Sequence, residues 1–243
     1  MKIRCVWEHN GNDSILYADN FIGAFTRGVS KEAAIQKMPS EIKSYLKWAG
    51  KTVPDSFDSE IVQEKNSGLT ISDADSDVLF DTEKKELNRT EYIELKSLAL
   101  KSARDFFVLY NAIPDKDKSC LPKRTTFYGQ VPRTASEMYE HTKNVNDYYF
   151  GEIGVPADHK GNIVECRERG FALLESQPDF LDNQVFYGSY EEEWSLRKVL
   201  RRFIWHDRIH AKAMYRMAVQ TFGPDLVPNI FFFDVSVSMQ TKN

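Results

Sequence analysis

Residues 205–210 have the sequence Trp-His-Asp-Arg-Ile-His, which places His206 and His210 four residues apart. Residues at this spacing lie on one face of an α-helix, one turn from each other. The other residues of that face are apolar: Val199, Phe203, Ala213 and Met217. The pattern therefore predicts a helix whose two imidazole groups point towards a protein interior.

The limits of this helix are predicted from its flanking residues. Ser189-Tyr-Glu-Glu192 has the pattern of a capping box, and Gly223-Pro224 ends the helix after Phe222. The face opposite the histidines is charged: Arg201, Arg208, Lys212 and Arg216. Basic pairs at 197–198 and 201–202 can bind an anionic substrate or thiol cofactor. A solvated helix face balanced by the glutamates at 191–193 is the simpler interpretation.

Three further long helices are predicted upstream. The first begins near Asn88 or Thr90 and continues to about Tyr110, and the third spans about 163–176. The second begins at the capping box Thr134-Ala-Ser-Glu137 and ends near Phe150. Four long helices joined by loops predict an antiparallel four-helix bundle.

A third histidine, His141, lies on the predicted inner face of the second helix, together with Met138, Val145 and Tyr148. Neutral imidazole is a good ligand for divalent transition metals such as zinc, nickel and iron. A single inward histidine is more often a hydrogen-bonded core residue, but three on two helices favour a metal site formed by His141, His206 and His210. Three protein ligands would leave positions open for water or substrate.

Residues near these histidines are candidates for acid–base catalysis. Glu137 and Asn144 lie one turn before and after His141, and Tyr139 is an alternative. All three also fit the interpretation of surface residues on a helix flank. Asp207 and Arg208 point away from the histidine face, so we predict salt-bridged or interhelical pairing, with support of a histidine ligand as the alternative.

The N-terminal segment has strand patterns around Ile3–Trp7, Ile15–Tyr17 and Ala24–Arg27, followed by a helix capped by Ser30. The acidic segment that follows has short apolar runs, which predict hairpin strands. Another apolar run, 229–234, predicts a C-terminal strand. We therefore expect an α+β protein with a small βββα-type sheet domain (1–50), an acidic β-rich connection (51–87) and the helical bundle with its final strand (88–243).

Composition excludes some classes of function. The 36 acidic residues outnumber the 32 basic ones, giving a formal charge of −4, which argues against a nucleic-acid-binding protein. No apolar stretch is long enough for a membrane span or a secretory leader, so we expect a cytoplasmic protein without membrane contact. The three cysteines are far apart in sequence and do not form a disulfide framework.

The helical region resembles the DinB-like superfamily, through Ser136-Glu-Met-Tyr-Glu-His141 and the stretch from Glu193 to Met214 that contains both other histidines. The resemblance covers about residues 88–222. It implies a four-helix bundle that binds a divalent metal through one histidine of its second helix and two of its fourth. Several members of the superfamily are thiol S-transferases or isomerases that use mycothiol, bacillithiol or glutathione. It also implies a small-molecule substrate and a homodimer, since DinB-like bundles often form dimers.

The N-terminal segment from Ile3 to Trp48, centred on Gly23-Ala-Phe-Thr-Arg-Gly28, resembles a HicB-like domain, which in its family often belongs to an antitoxin. Two hypotheses follow. In the first, the chain is a metal-dependent thiol S-transferase that acts on a small electrophile. In the second, it is a non-catalytic regulatory protein whose N-terminal domain binds a protein partner and whose metal is structural.

Overall fold

A computed structural model of the protein describes residues 1–11, 13–73, 75–126 and 129–234. Within these ranges the fold is mixed α/β, with five α-helices and a four-stranded sheet. The chain forms two compact units. Unit 1 contains Met1–Ser76 together with the segment after Val227, and unit 2 contains Asp77–Val227.

Unit 1 is built on a sheet whose strand order is β3-β2-β1-β4. The strands are β1 (Lys2–His9), β2 (Ser14–Ala18), β3 (Phe25–Gly28) and β4 (Asp58–Asn66). The first three are antiparallel neighbours, and β4 runs parallel to β1. Helix α1 (Lys31–Trp48) packs on β2 and β3, and its first turn is capped by the Ser30 hydroxyl, which accepts a hydrogen bond from Ala33 N.

The acidic segment at 51–87 differs from the predicted hairpin strands. One described strand forms there, β4, and its partner is β1 instead of a neighbouring hairpin arm. Leu69–Ile71 leads into a 3-10 turn at Ile71–Asp73. Val78–Phe80 forms no strand because its polar groups have other partners: the Val78 carbonyl accepts a hydrogen bond from Arg201, and the Phe80 amide donates to Glu83.

Unit 2 is built on four helices: α2 (Arg89–Ala112), α3 (Ala135–Gly151), α4 (Ile163–Glu175) and α5 (Leu196–Phe222). Helix α2 packs against α4 and α5, and α3 packs against the same two helices. Capping boxes at Asn88, Thr134 and Asn162 satisfy the first amide groups of α2, α3 and α4. Two very short hairpins complete the unit, β5–β6 (Thr125–Thr126 and Gly129–Gln130) and β7–β8 (Phe186–Tyr187 and Glu193–Trp194).

Helix α5 begins later than predicted. Its N-cap is Ser195, whose hydroxyl accepts a hydrogen bond from Lys198 N, and the predicted capping box at 189–192 is a 3-10 turn inside the β7–β8 hairpin. Tyr190 and Glu191 both have φ of 60°, which no α-helix contains. The capping-box pattern is present in the sequence, but the left-handed backbone conformation of Tyr190 and Glu191 prevents an α-helix from starting there.

Part of the charged face of α5 is buried, which corrects the prediction of a solvated face, whereas Lys212 and Arg216 are partly exposed. Lys198 and Arg208 are 0% exposed and Arg201 is 1% exposed. Arg201 forms a salt bridge with Glu83 and stacks on the Phe80 ring, so acceptors from residues 77–87 cover this side of the helix.

The segment at 229–234 forms turns in place of the predicted strand. The side chain of Asn229 both donates to the Phe233 carbonyl and accepts from its amide, at 2.8 Å in each case. Phe232 has a φ of 56°, which interrupts an extended backbone. These local hydrogen bonds take the place of the ladder that a strand would need.

Candidate metal centre

Helices α3 and α5 bring the three predicted ligands together. His141 comes from α3, while His206 and His210 lie one turn apart on α5. Each histidine offers a ring nitrogen, and these three nitrogen atoms all lie within 4.8 Å of one another. The ring centres are 4.5 Å apart for His206–His210, 4.7 Å for His141–His210 and 5.1 Å for His141–His206. The three side chains are therefore close enough to hold one metal ion.

The surroundings keep the imidazole groups neutral. Burial lowers the pKa of His210 to about 3, with a further contribution from His141. Burial also holds the pKa of His206 well below its usual range, and the neighbouring histidines and Arg202 act in the same direction. The pKa of His141 is lowered by burial as well. Neutral imidazole is the form that coordinates a metal.

The site has an open side and a closed side. His206 is 7% exposed and His210 is half-buried, whereas His141, on α3, is exposed. A ligand can therefore approach the triad from the α3 side.

One polar atom of the triad lacks a protein partner. The Nδ1 atom of His206 is buried and has no hydrogen-bond partner among the described residues. A buried nitrogen without a partner is unfavourable by about 1–3 kcal/mol. Coordination of an ion, or a bound ligand, would satisfy it.

The predicted interhelical pairing of Asp207 is confirmed, and its partner is Arg167 of α4. The Arg167 guanidinium donates to both carboxylate oxygens, at 2.6 and 3.2 Å. The Ser102 hydroxyl of α2 also donates to Asp207, and Arg167 stacks on the Phe203 ring. This network joins three helices on the side of α5 away from the triad.

The predicted acid–base residues have different surroundings. The Glu137 carboxylate accepts hydrogen bonds from the Arg133 and Thr134 amides, and these bonds hold its pKa below the usual value. Asn144 is exposed on α3, one turn after His141. Tyr139 is buried, its hydroxyl accepts a hydrogen bond from Ile163 N, and burial raises its pKa to about 12. Glu137 and Tyr139 thus stabilise helix starts, and catalytic roles for Glu137 and Asn144 stay predictions.

A group of residues that sequence patterns did not identify lies beside His206. We name it the Arg202 cluster; its members are Arg202, Tyr148, Tyr149, Trp194 and Trp205. The Tyr149 ring meets His206 edge-on, with ring centres 5.9 Å apart. In the sequence pattern, Arg202 stands out only as part of the basic pair at 201–202. Its position four residues before His206 was the one available indication that it approaches the triad.

Comparisons with models of known protein families, with curated proteins and with solved structures find no match for this chain. Among the described residues, no helix is both long and apolar enough to cross a membrane. The functional assignment therefore depends on the geometry of the site itself.

Proposed function

We propose that this protein binds a divalent transition metal at His141, His206 and His210 and acts as a metal-dependent thiol S-transferase. The proposal depends on one observation: three neutral imidazole groups whose ring nitrogens lie within 4.8 Å of one another, with His141 exposed to solvent. Three histidines this close together favour metal binding over the alternative that each is a separate hydrogen-bonded residue of the protein core. Three ligands are the number typical of catalytic sites.

The ligand set favours zinc, nickel or iron. Imidazole suits these ions, whereas magnesium and calcium prefer oxygen ligands. The buried Nδ1 of His206 adds support, because a bound ion or ligand gives that nitrogen an interaction that the described residues do not supply. With all three ligands neutral, the full positive charge of the ion acts on whatever occupies the open positions.

A bound divalent ion supplies one piece of chemistry: it lowers the pKa of a thiol or water held next to it. A thiol held there by an ion on His141, His206 and His210 would lose its proton to solvent or to a nearby base, and the thiolate would then be able to attack an electrophilic carbon of the substrate and form a C–S bond. In a transferase the leaving group departs with the electron pair of the broken bond. The open α3 edge at His141 admits the thiol, and the buried side at His206 limits access of water.

We propose a DinB-like assignment for the helical unit. We infer that α2–α5 form an antiparallel four-helix bundle in which α3 and α5 correspond to the helices that hold the metal. We likewise propose a HicB-like assignment for residues 3–48 of unit 1, where three antiparallel strands are followed by α1. A non-catalytic protein with a structural metal is the competing hypothesis, and the exposure of His141 favours the catalytic one.

Elemental analysis of the purified, untagged protein tests the proposal. We expect about one equivalent of a transition metal after reconstitution, and its loss in a His206→Ala/His210→Ala variant. His159→Ala is the matched control, because His159 is exposed, bonds to Asp147 and lies outside the triad. The metal-loaded protein is then assayed for conjugation of glutathione, bacillithiol or mycothiol to small electrophiles.

Two results would contradict the proposal. Absence of bound metal after reconstitution with zinc, nickel and iron would remove the metal site. A bound metal that admits no additional ligand, for example in the absorption spectrum of a cobalt-substituted protein titrated with azide and thiols, would favour a structural ion and the regulatory hypothesis.

A further inference from the structure

The β7–β8 hairpin of unit 2 carries an exposed aromatic surface. The large apolar and aromatic side chains exposed between positions 185 and 190 are Val185, Phe186, Tyr187 and Tyr190. Tyr187 is 79% exposed and Tyr190 is 90% exposed. Single apolar side chains on a protein surface are ordinary, whereas several in one place are typical of a surface that binds a partner. We name these four residues, together with Glu191 and Glu193, the tyrosine surface.

The turn of the hairpin holds Tyr190 in an unfavourable backbone conformation. Tyr190 and Glu191 both have a φ of 60°, a region that residues with a side chain rarely adopt. Ser189 fixes the turn with both of its backbone groups: its amide donates to the Glu152 carboxylate at 2.7 Å, and its carbonyl accepts from the Glu192 amide at 3.2 Å. Strained residues that their surroundings hold in place are concentrated at functional sites. An ordered turn that presents the Tyr190 ring to solvent also reduces the entropy lost when a partner binds.

The antiparallel pairing places an aromatic ring beside a carboxylate. Tyr187 is directly opposite Glu193, and Phe186 is directly opposite Trp194. Directly opposite side chains lie on the same face of a sheet, with Cβ atoms about 4.5–5.5 Å apart, and successive residues alternate between the two faces. Because Trp194 is buried, Tyr187 and Glu193 share the outward face of the hairpin.

The chain around the hairpin is acidic. Residues 177–195 contain no Lys or Arg, and their carboxylates belong to Asp179, Asp182, Glu191, Glu192 and Glu193. Glu192 forms a salt bridge with Lys198. Among the residues that the structure describes, no basic side chain pairs with the other four carboxylates. Their negative charge therefore favours a cationic partner.

Arginine is the side chain that matches both features of this surface. Its guanidinium group stacks on aromatic rings and donates a planar fork of N–H groups to a carboxylate, whereas lysine is a compact point charge. We propose that the tyrosine surface binds an arginine-rich segment of a partner protein. Its arginine side chains stack on Tyr187 and Tyr190 and donate hydrogen bonds to Glu191 and Glu193. This inference goes beyond the proposed function, because it involves neither the metal nor the triad.

An NMR titration of the full-length protein with a short peptide of alternating glycine and arginine tests the inference. We expect the peptide to shift the backbone amide signals of residues 186–193 and to leave those of β1 and β2 in unit 1 unchanged. Binding should weaken as salt is added, because ions screen exposed charges. A matched peptide of glycine and lysine should bind at least about threefold more weakly, since lysine lacks the planar fork.

Paired variants separate the aromatic and acidic parts of the surface. Tyr187→Ala/Tyr190→Ala should weaken binding of the arginine peptide by about tenfold or more. Tyr187→Phe/Tyr190→Phe keeps both rings and should bind nearly as tightly as the wild type. Glu191→Gln/Glu193→Gln should weaken binding by about tenfold, because it removes charge-assisted hydrogen bonds.

Glu94→Gln/Asp225→Asn is the matched control, because it removes two exposed carboxylates elsewhere in unit 2 and changes the net charge equally. It should bind the peptide like the wild type. Equal affinities of this control and Glu191→Gln/Glu193→Gln would mean that the peptide responds only to net charge, and would overturn the inference.

Two results for the wild type would also overturn it. The first is the absence of peptide-induced shifts at residues 186–193, which decides even where a variant does not fold. The second is a wild-type dimer in analytical ultracentrifugation that Tyr187→Ala/Tyr190→Ala does not form, because the occupant of the tyrosine surface would then be a second copy of this chain.

Discussion

The ion pair between Asp207 and Arg167 has no contact with solvent, because both side chains are 0% exposed. Removing one member of such a pair leaves the other charge buried without compensation, which typically destabilises by about 3–5 kcal/mol. We expect Asp207→Ala to lower the free energy of unfolding by an amount in this range, measured by urea denaturation. Asp158→Ala is the matched control, since its pair with Arg169 is about half exposed, and it should change stability by less than about 1 kcal/mol. Similar effects of both changes would show that the buried network does not hold the three helices together.

Lys198 gives a second prediction at the scale of single residues, concerning pH. Burial lowers the pKa of its ammonium group to about 8 from 10.5, although Glu192 opposes the shift. Between these two values the unfolded chain holds a proton that the folded protein has lost, so the free energy of unfolding should increase with pH in this window. Below pH 8 the folded protein carries the full penalty of burying the charge.

The measurement compares urea unfolding of the wild type and Lys198→Met at pH 8 and pH 9. The stability difference, wild type minus variant, should rise by about 1 kcal/mol over this interval. Titration of cysteines and tyrosines affects both proteins and cancels in the comparison. A difference that does not change with pH would mean that Lys198 keeps an ordinary pKa in the folded state.

The triad could be predicted from individual residues, but its aromatic neighbours could not. Two histidines at helical spacing determine their common face, and a third on an inward stripe completes the set. The Arg202 cluster depends on Tyr149 and Trp194, which come from α3 and β8, and no local periodicity connects them to α5. The burial of Arg201 was missed for the same reason, since its partner Glu83 lies on a distant segment of the chain.

At the scale of elements, Gly170 sets how closely α4 approaches α3. A Cβ atom at this position would lie 2.2 Å from a ring carbon of Phe150. Glycine in a helix is normally less stable than alanine by about 0.5–1 kcal/mol, so Gly→Ala is usually favourable. Here the overlap should dominate, and Gly170→Ala should destabilise the protein by about 1–3 kcal/mol.

Gly151, at the end of α3, is the control for this prediction, because a Cβ there meets no atom within 4 Å. Gly151→Ala should be neutral or slightly stabilising in thermal unfolding. Equal stability of Gly170→Ala and Gly151→Ala would contradict this prediction. It would mean that Phe150 can move without loss of packing and that residue 170 need not be glycine for α3 and α4 to pack.

Most helix ends were predictable because capping side chains act within four residues. Thr134 was predicted in this way and is confirmed, and of the two candidate caps Asn88 and Thr90 the structure uses Asn88. The start of α5 was not predicted correctly, because tertiary contacts compete with the capping-box pattern at 189–192. The Glu152 carboxylate accepts from Ser189 N, and Trp194 pairs with Phe186 across the hairpin. Such contacts between distant segments override local helix signals.

At the scale of the whole molecule, the candidate site belongs entirely to unit 2. An ion bound by His141 and by His206 and His210 would join α3 to α5 through coordinate bonds. A ligand that binds only the folded state stabilises it by about 2.7 kcal/mol at one hundred times its dissociation constant. The free energy needed for opening motions that separate α3 from α5 should increase by a similar amount, so these motions should become rarer.

Hydrogen exchange measured by mass spectrometry tests this coupling. With zinc in excess, amides of α3 and α5 that exchange through opening of unit 2 should slow by up to about one hundredfold, whereas β1 and β2 of unit 1 act as the internal reference. His141→Ala should remove the effect in α3 because the α3 ligand is lost, while His206 and His210 hold zinc weakly on α5 alone. Protection confined to α5 in the wild type would mean that His141 is not a ligand. The ion would then bind to one helix, and the tri-histidine centre on which the proposed chemistry depends would not exist.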